Sequence, residues 1–274
     1  MTTVPPDPRE LRDLALEVAL AAADLIRTMR AGRVEVADTK SSGVDVVTAV
    51  DRASEHLIRE RLRAARPDDA VLGEEEGATS GTSGVRWVVD PVDGTVNLLY
   101  GIPEYAVSLA AEVDGEVVAG VVVEVPSGTV YAAARGRGAT RDGVPLAVRP
   151  YAPMAQRLVY TGFGYQAAVR AHQGQCVARL LPRVRDIRRR GSCALDLCHV
   201  AEGTADGYVE DGPQPWDYSA GRLVVTEAGG RFGVLPGTMG ATVPGWPSES
   251  VVVAAPSHGW EEFVTELTAA GFLA

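Results

Sequence analysis

The sequence has few of the features that mark secreted, membrane-embedded or zinc-binding proteins. Its three cysteines, Cys176, Cys193 and Cys198, are too few and too unevenly spaced for a disulfide framework or a zinc site. We therefore expect buried free thiols in a reducing compartment. No apolar run approaches the roughly eighteen residues of a membrane span, and residues 1–10 lack a basic region followed by an apolar core. These absences predict a cytoplasmic protein with no membrane partner.

An excess of positive charge is also absent. The formal net charge of -10 argues against general binding to nucleic acid or to an anionic membrane surface. It does not exclude an anionic substrate, because bound metal ions can invert the local sign of the charge. The hydrophobic content of 46% and charged content of 23% are ordinary for a globular enzyme. A chain of 274 residues can bury one large core or two closely packed halves.

Residues 1–150 are expected to form an α+β half. Helical spacing of apolar residues predicts helices over 11–29, ended by Gly32, and over 48–65, with Ala53, Leu57, Ile58 and Leu62 facing inward. Between them, 38–45 is expected to be a mobile polar loop that contains Lys40. Strands are predicted at 71–72 and 87–89, separated by a loop over 77–84. Three further strands, 106–111, 117–125 and 129–134, are separated by the hairpin signals Asp-Gly and Ser-Gly, which predicts an antiparallel meander.

Residues 151–274 alternate between strand and helix patterns, which predicts an α/β half. The expected strands are 158–160, 184–187, 207–209 and 251–253. The expected helices are 166–181, 192–202, 215–228 and 257–270. We find no internal repeat that would indicate a solenoid.

The segment from Asp90 to Tyr100 is the most informative part of the chain. Two carboxylates stand three residues apart directly after a buried strand, and Pro91 is expected to interrupt that strand. Gly94 permits a tight turn, and Thr95 is a good opening residue for a helix. Carboxylates at such a corner suit hard divalent cations, and the N–H groups of a helix start suit a phosphate. The alternative is a solvated turn that caps a helix.

Four further acidic residues lie at three places where a strand ends or a helix begins. Glu74 and Glu75 follow the strand at 71–72, Asp217 opens the helix at 215, and Asp51 lies in the first turn of the helix at 48. Each position alone could be a solvated loop or a charge that stabilises the helix dipole. Together with Asp90 and Asp93 they are the donors that two or three magnesium ions would need.

Three motifs resemble the signatures of the inositol monophosphatase family. They are Asp90-Pro91-Val92-Asp93-Gly94-Thr95, Gly73-Glu74-Glu75 and Trp216-Asp217-Tyr218-Ser219-Ala220-Gly221. The segments 160–165 and 189–192 resemble those of bacterial members. The resemblance runs from about residue 11 to residue 272. It implies a layered αβαβα sandwich, a homodimer, and a lithium-sensitive Mg²⁺-dependent phosphatase that hydrolyses inositol monophosphate, a small phosphorylated polyol.

Site residues follow from the same resemblance. It implies a first metal ion on Glu74, Asp90 and the carbonyl of Val92, a second on Asp90, Asp93 and Asp217, and a third, weaker ion near Glu74. Thr95 and Asp51 would orient the attacking water with help from Glu74, while the N–H groups of Gly94 and Thr95 would bind the phosphoryl oxygens. The polyol would contact the residues Asp93, Arg188, Cys193, Glu210 and Asp217. Lys40 could approach the phosphate, or it could be an exposed lysine.

Two alternatives stay open at this point. The metal ligands do not distinguish inositol phosphate from histidinol phosphate or from other sugar or nucleotide phosphates, because they bind the shared phosphate. A role as an accessory protein of transcription is the other alternative. The only local feature that favours it is a cluster of five arginines, Arg183, Arg185, Arg188, Arg189 and Arg190, which is otherwise expected to be the solvated face of an edge strand.

Overall fold

Helices and sheets alternate in five layers, in the order αβαβα. The computed structural model describes residues 6–30, 36–39, 46–241, 243, 245, 246 and 249–274. Its helices are α1 (Pro8–Arg30), α2 (Ala49–Ala65), α3 (Thr95–Tyr100), α4 (Ala167–Leu180), α5 (Cys193–Ala201), α6 (Pro215–Glu227) and α7 (Trp260–Ala270). The helices α1 and α2 form one outer layer, α5 and α6 the central layer, and α4 and α7 the other outer layer. The layered sandwich expected from the sequence is confirmed.

The first sheet has eight strands in the order β10-β9-β8-β7-β6-β5-β3-β4. Its strands are β3 (Ala70–Gly73), β4 (Gly77–Thr79), β5 (Val85–Asp93), β6 (Ala106–Val113), β7 (Glu116–Glu124), β8 (Val130–Ala134), β9 (Ala139–Arg141) and β10 (Val144–Pro145). All neighbours are antiparallel except β3 and β5, which are parallel. The predicted meander is confirmed, and the turn from β6 to β7 places Asp114 and Gly115 at positive φ, as a two-residue hairpin requires.

The second sheet has five strands in the order β12-β11-β13-β15-β14. Its strands are β11 (Leu158–Thr161), β12 (Asp186–Arg188), β13 (Gly207–Asp211), β14 (Gly230–Pro236) and β15 (Glu249–Pro256). The strand β11 is parallel to β12 and β13, whereas β15 is antiparallel to both β13 and β14. The strand predicted at 184–187 is present at the sheet edge as β12, although it begins at Asp186 and contains only Arg188 of the arginine cluster. The strand β14 was not predicted.

Two predicted loops contain short strands. The strand β1 (Val36–Thr39) pairs with β2 (Val46–Thr48), so residues 38 and 39 of the loop expected over 38–45 lie in a strand. The remainder of that loop, with Lys40, and the helix stop at Gly32 lie outside the described residues. The strand β4 occupies the start of the loop predicted over 77–84, because those residues pair with β3.

Buried apolar side chains fill the spaces between the layers. Leu11, Val18 and Ile26 of α1 pack against the first sheet, and α6 packs between the two sheets. In the described part of the chain, no helix is long and apolar enough to cross a membrane. The division into halves at residue 150 stays a prediction, since the central helices of the second half pack directly on the first sheet.

Candidate active site

A cavity of about 380 Å³ brings most of the predicted site residues together. The predicted residues that line it are Glu74, Asp90, Val92, Asp93, Gly94, Thr95, Cys193, Glu210 and Asp217. They come from the end of β3, from the corner between β5 and α3, from the start of α5, from β13 and from the start of α6. Residues that are distant in sequence therefore meet at one place where both sheets and the central helices end.

The corner between β5 and α3 is built by a bulge and a glycine. The strand does not end at Pro91 but continues to Asp93, and its register with β6 is broken between Asp90 and Asp93. Pro91 has no N–H to contribute to the ladder, so it fits within such a break. Gly94 adopts φ of +97°, and a Cβ there would lie 2.9 Å from the carbonyl oxygen of Glu104. Only glycine allows the chain to turn so closely into α3.

Asp51 does not line the cavity, but it contacts a residue that does. The Thr95 hydroxyl lies 2.8 Å from Asp51 Oδ1 and 3.1 Å from the Val92 carbonyl oxygen, and its single proton can go to only one of them at a time. Asp51 is held in place by the Thr48 backbone N–H, which donates to Asp51 Oδ2 at 2.9 Å. The predicted pair of Thr95 and Asp51 is therefore present as a hydrogen bond between α3 and α2.

Asp93 is anchored by the start of α5. The Ser192 hydroxyl donates to Asp93 Oδ2 at 2.6 Å, and the Ala194 backbone N–H donates to the same oxygen at 2.7 Å. Ser192 also caps the helix, because its oxygen accepts from the Leu195 N–H at 3.3 Å. Burial raises the pKa of Asp93 to about 6, although these hydrogen bonds lower it.

The clustered carboxylates destabilise one another's charged forms. Burial, followed by repulsion from Glu74, Asp93 and Asp217, raises the pKa of Asp90 well above its ordinary value. Burial and repulsion from Glu74 and Asp93 likewise raise the pKa of Asp217. Among the described residues, no three His, Cys, Asp or Glu side chains already form a metal-binding group. What the cavity offers is a concentration of negative charge and hard oxygen donors, which is the chemistry that Mg²⁺ prefers.

The far side of the cavity is suited to a polar ligand. Glu210 accepts a hydrogen bond from the Tyr208 hydroxyl at 2.6 Å, and Gly162 leaves room for it, since a Cβ at Gly162 would lie 1.9 Å from Glu210 Oε2. Burial raises the pKa of Glu210, while the hydrogen bond from Tyr208 and the charge of Arg189 lower it. Cys193 lies beside this carboxylate, and burial raises the pKa of its thiol well above the ordinary value.

The structure does not bring Arg188 to the cavity. Arg188 is exposed and forms an ion pair with Asp186, whereas the next residue, Arg189, lines the cavity beside Glu210. Arg188 is the last residue of β12, and consecutive residues at a strand end point to opposite sides. Of the run of three arginines, Arg189 and not the predicted Arg188 therefore lines the cavity.

Most of the arginine cluster is engaged within the chain. Arg183 pairs with Glu266, Arg185 Nε donates to the Gln156 carbonyl at 2.9 Å, and Arg190 pairs with Glu104. These contacts, with the pair formed by Arg188, leave Arg189 as the member that faces the cavity. They give no particular support to the idea of a basic binding surface.

Several cavity residues were not identified from the sequence. The most informative ones are Arg189, Asp211 and Trp246, which line the cavity, together with Ser192, which does not line it but donates to Asp93. Ser192 carries a usable signal, since a serine before an apolar helical run is a typical N-cap. Trp246 and Asp211 carry none, because their contact, a hydrogen bond of 2.6 Å from Trp246 Nε1 to Asp211 Oδ1, joins segments 35 residues apart.

Comparison with known proteins supports the family resemblance of the acidic motifs at this site. The model of the inositol monophosphatase family matches residues 7–270. The chain is 44% identical to inositol-1-monophosphatase SuhB of Mycobacterium tuberculosis, over 93% of each chain. It is 39% identical to a protein of Pasteurella multocida named Nus factor SuhB, over 80% of this chain and 82% of the relative. A solved structure of Mycobacterium tuberculosis SuhB superposes with a TM-score of 0.84 at 40% identity, over 98% of this chain and all of the other.

The family match covers almost the whole chain, and the expected likeness to bacterial members is confirmed by the SuhB proteins of two organisms. The fold superposes on that of a solved SuhB structure, and the cavity is lined by residues of the three motifs that resemble the family. This chain belongs to the inositol monophosphatase family and is a phosphatase.

Proposed function

We propose that the protein is a Mg²⁺-dependent phosphatase that hydrolyses inositol monophosphate to inositol and phosphate. The observation that carries the proposal is the convergence of Glu74, Asp90, Asp93 and Asp217 on one cavity beside the start of α3. Four carboxylates so close together repel one another, and a divalent cation removes that repulsion. The names of the mycobacterial relatives support inositol monophosphate as the substrate.

The residues present fit magnesium. Glu74, Asp90 and the Val92 carbonyl would hold one ion, Asp90, Asp93 and Asp217 a second, and Glu74 would contact a third, weaker ion. All of these donors are oxygens, which hard cations prefer. When bound, such ions neutralise phosphate charge and lower the pKa of water toward about 7. The raised pKa values of Asp90 and Asp217 support the assignment, because they reflect a surplus of negative charge that a cation would offset.

Thr95 and Asp51 would orient the attacking water. When the Thr95 hydroxyl donates to Asp51 Oδ1, the oxygen lone pairs of Thr95 can accept a hydrogen bond from the water. Glu74, which lines the same cavity, would help to activate the water by accepting its other proton. Thr95 and Asp51 together would hold the water in one orientation relative to the phosphorus atom. Correct orientation of the reacting groups supplies a large part of the rate enhancement in such reactions.

The substrate would span the cavity from the corner to Glu210. The N–H groups at the start of α3, those of Gly94 and Thr95, precede the first helical hydrogen bond and would bind phosphoryl oxygens. The carboxylates of Asp93 and Glu210 would accept hydrogen bonds from the polyol hydroxyls, with Cys193 between them. The proposal includes a homodimer, which membership of the family supports. It also includes a location in the cytoplasm, which the three free, buried cysteines support.

The test is phosphate release from inositol monophosphate with the Asp93→Asn variant. We expect hydrolysis that requires Mg²⁺ and is inhibited by Li⁺ in the wild type, and a loss of at least about a thousandfold in the variant. Asp114→Asn, in the exposed turn between β6 and β7, is the matched control and should hydrolyse normally. Retained turnover in folded Asp93→Asn would refute the proposal. A panel with histidinol phosphate and other sugar and nucleotide phosphates tests the substrate, and a strong preference for histidinol phosphate would replace it.

A further inference from the structure

The helix α2 buries Ile58 and Leu62 as expected, but it also buries polar and charged side chains that were not expected. Ala53 and Leu57 are only half-buried, whereas Ser54 and Glu55 are fully buried and Arg59 is 6% exposed. A buried carboxylate and a buried guanidinium are costly unless each finds hydrogen-bond partners. The groups that form hydrogen bonds with Glu55 and Arg59 therefore indicate the role of this ion pair.

Glu55 binds the backbone of the turn that carries Glu74. The Glu75 backbone N–H donates to Glu55 Oε2 at 2.8 Å, and the Glu76 N–H donates to Glu55 Oε1 at 3.0 Å. Arg59 Nε donates to Glu55 Oε1 at 2.8 Å, so the carboxylate is held on the helix one turn away. Hydrogen bonds to an ionised acceptor are the stronger kind, and all three of these are of that kind.

The hairpin of β3 and β4 fits closely over this pair. Arg59 donates a second hydrogen bond, to the carbonyl oxygen of Gly77 at the start of β4. A Cβ on Gly73, the last residue of β3, would lie 2.2 Å from Glu55 Oε1 and 2.7 Å from Arg59 Nη2. Glycine at this position is therefore what lets the hairpin approach the ion pair.

Glu74 is fixed between two anchors. Its backbone N–H donates to the Val89 carbonyl oxygen of β5 at 3.3 Å, and the next two N–H groups are bound by Glu55. The same helix also contacts the corner between β5 and α3, because Ser54 donates to the Pro91 carbonyl at 3.0 Å. One turn of α2 thus contacts two of the segments that bring carboxylates to the cavity, the turn with Glu74 and the corner with Asp90 and Asp93.

We propose that Glu55 is a positioning residue of the metal site, which sets the affinity for Mg²⁺ by fixing the turn that carries Glu74. The proposal rests on the proposed function. Glu55 does not line the cavity, so it acts on the ion only through the backbone of Glu74 and its neighbours. It therefore affects the binding of Mg²⁺ more strongly than the chemistry at saturating Mg²⁺.

The test compares Glu55→Gln with Glu60→Gln, an exposed glutamate of the same helix. The amide of glutamine cannot accept all three hydrogen bonds, since one end of it is a donor. Isothermal titration calorimetry with Mg²⁺ alone should show the Kd raised about tenfold or more in Glu55→Gln, a size typical of residues that orient metal ligands. Glu60→Gln should match the wild type. In phosphate release, half-maximal activity should need about tenfold more Mg²⁺, while kcat at saturating Mg²⁺ and KM for inositol phosphate stay within about threefold.

The possible results are distinct. A folded Glu55→Gln whose Kd for Mg²⁺ is within twofold of the wild type would overturn this inference and leave the proposed function intact. A wild type that binds no Mg²⁺ would overturn both. If Glu55→Gln does not fold, Glu55→Gln/Arg59→Met takes its place, because replacing both partners avoids an uncompensated buried charge. Failure of both variants to fold would make the pair purely structural and would also overturn the inference.

Discussion

Removal of the Ser192 hydroxyl should separate the two roles that this side chain has. The hydroxyl donates to the Asp93 carboxylate at 2.6 Å and accepts from the Leu195 N–H at 3.3 Å as the cap of α5. A hydrogen bond to a charged group contributes about 1.5–3 kcal/mol, and loss of a serine cap costs about 1 kcal/mol. Because one hydroxyl makes both bonds, we expect Ser192→Ala to lower the free energy of unfolding by about 2.5–4 kcal/mol. For a chain of this size that corresponds to a fall of roughly 5–16 °C in Tm.

The assay is thermal unfolding in the absence of divalent ions at pH 8, above the pKa of Asp93. A double-mutant cycle with Asp93→Asn isolates the contribution of the charged hydrogen bond. In the Asp93→Asn background, Ser192→Ala should cost only about 1 kcal/mol, the value of the cap alone. An equal cost in both backgrounds, or a cost below about 0.5 kcal/mol in the wild type, would show that Ser192 does not stabilise the Asp93 carboxylate.

Two further predictions concern charged groups elsewhere. Burial raises the pKa of Glu202, but hydrogen bonds from His199, Thr204 and Tyr131 outweigh it and lower the pKa from 4.5 to about 2. The ionised Glu202 carboxylate should therefore stabilise the fold fully above pH 4.5, and this stabilisation should be lost as the pH falls toward 2. In urea unfolding, we expect Glu202→Gln to lower the free energy of unfolding by about 2–3 kcal/mol at pH 7 and by progressively less in acid. Arg189→Gln should raise KM for inositol phosphate about fivefold, the equivalent of about 1 kcal/mol, because Arg189 lines the cavity. Arg188→Gln should leave KM unchanged, and equal effects of the two variants would refute the placement of Arg189.

Strong local patterns predicted most of the fold. The helix α1 repeats apolar residues at helical spacing, and the meander from β6 to β8 has Asp-Gly and Ser-Gly at its turns. The strand β14 was missed because its two glycines and a proline interrupt any alternation, and its residues are half-buried or exposed at the sheet edge. The pattern of α2 was assigned correctly as a helix, and Ile58 and Leu62 are buried as predicted. The burial of Ser54, Glu55 and Arg59 on the same helix was not predicted. Apolar periodicity does not reveal a buried face whose partners are backbone groups of a distant hairpin.

For the candidate site, the sequence indicated the acidic residues but not the groups that hold them in place. Motifs indicated the acidic residues because carboxylates at strand ends and helix starts are unusual in such number. The residues that hold those carboxylates were not identified, since the donors come from other parts of the chain or from the backbone. The placement of Arg189 rather than Arg188 depends on where β12 ends, and boundaries of short strands are the least certain feature of any sequence pattern.

The anchoring hydrogen bonds suggest how a fold tolerates so many acids at one point. The Val92 N–H donates to Asp90 Oδ1, the start of α5 donates to Asp93 Oδ2, and the Gln214 N–H donates to Asp217 Oδ2. Each of these anchors binds one oxygen of its carboxylate and so orients the side chain. The fold thereby fixes the direction of each carboxylate before an ion arrives, while the repulsion that raises their pKa values remains to be relieved by binding. Affinity for a divalent ion is then the natural consequence of carboxylates that are held in place but not neutralised.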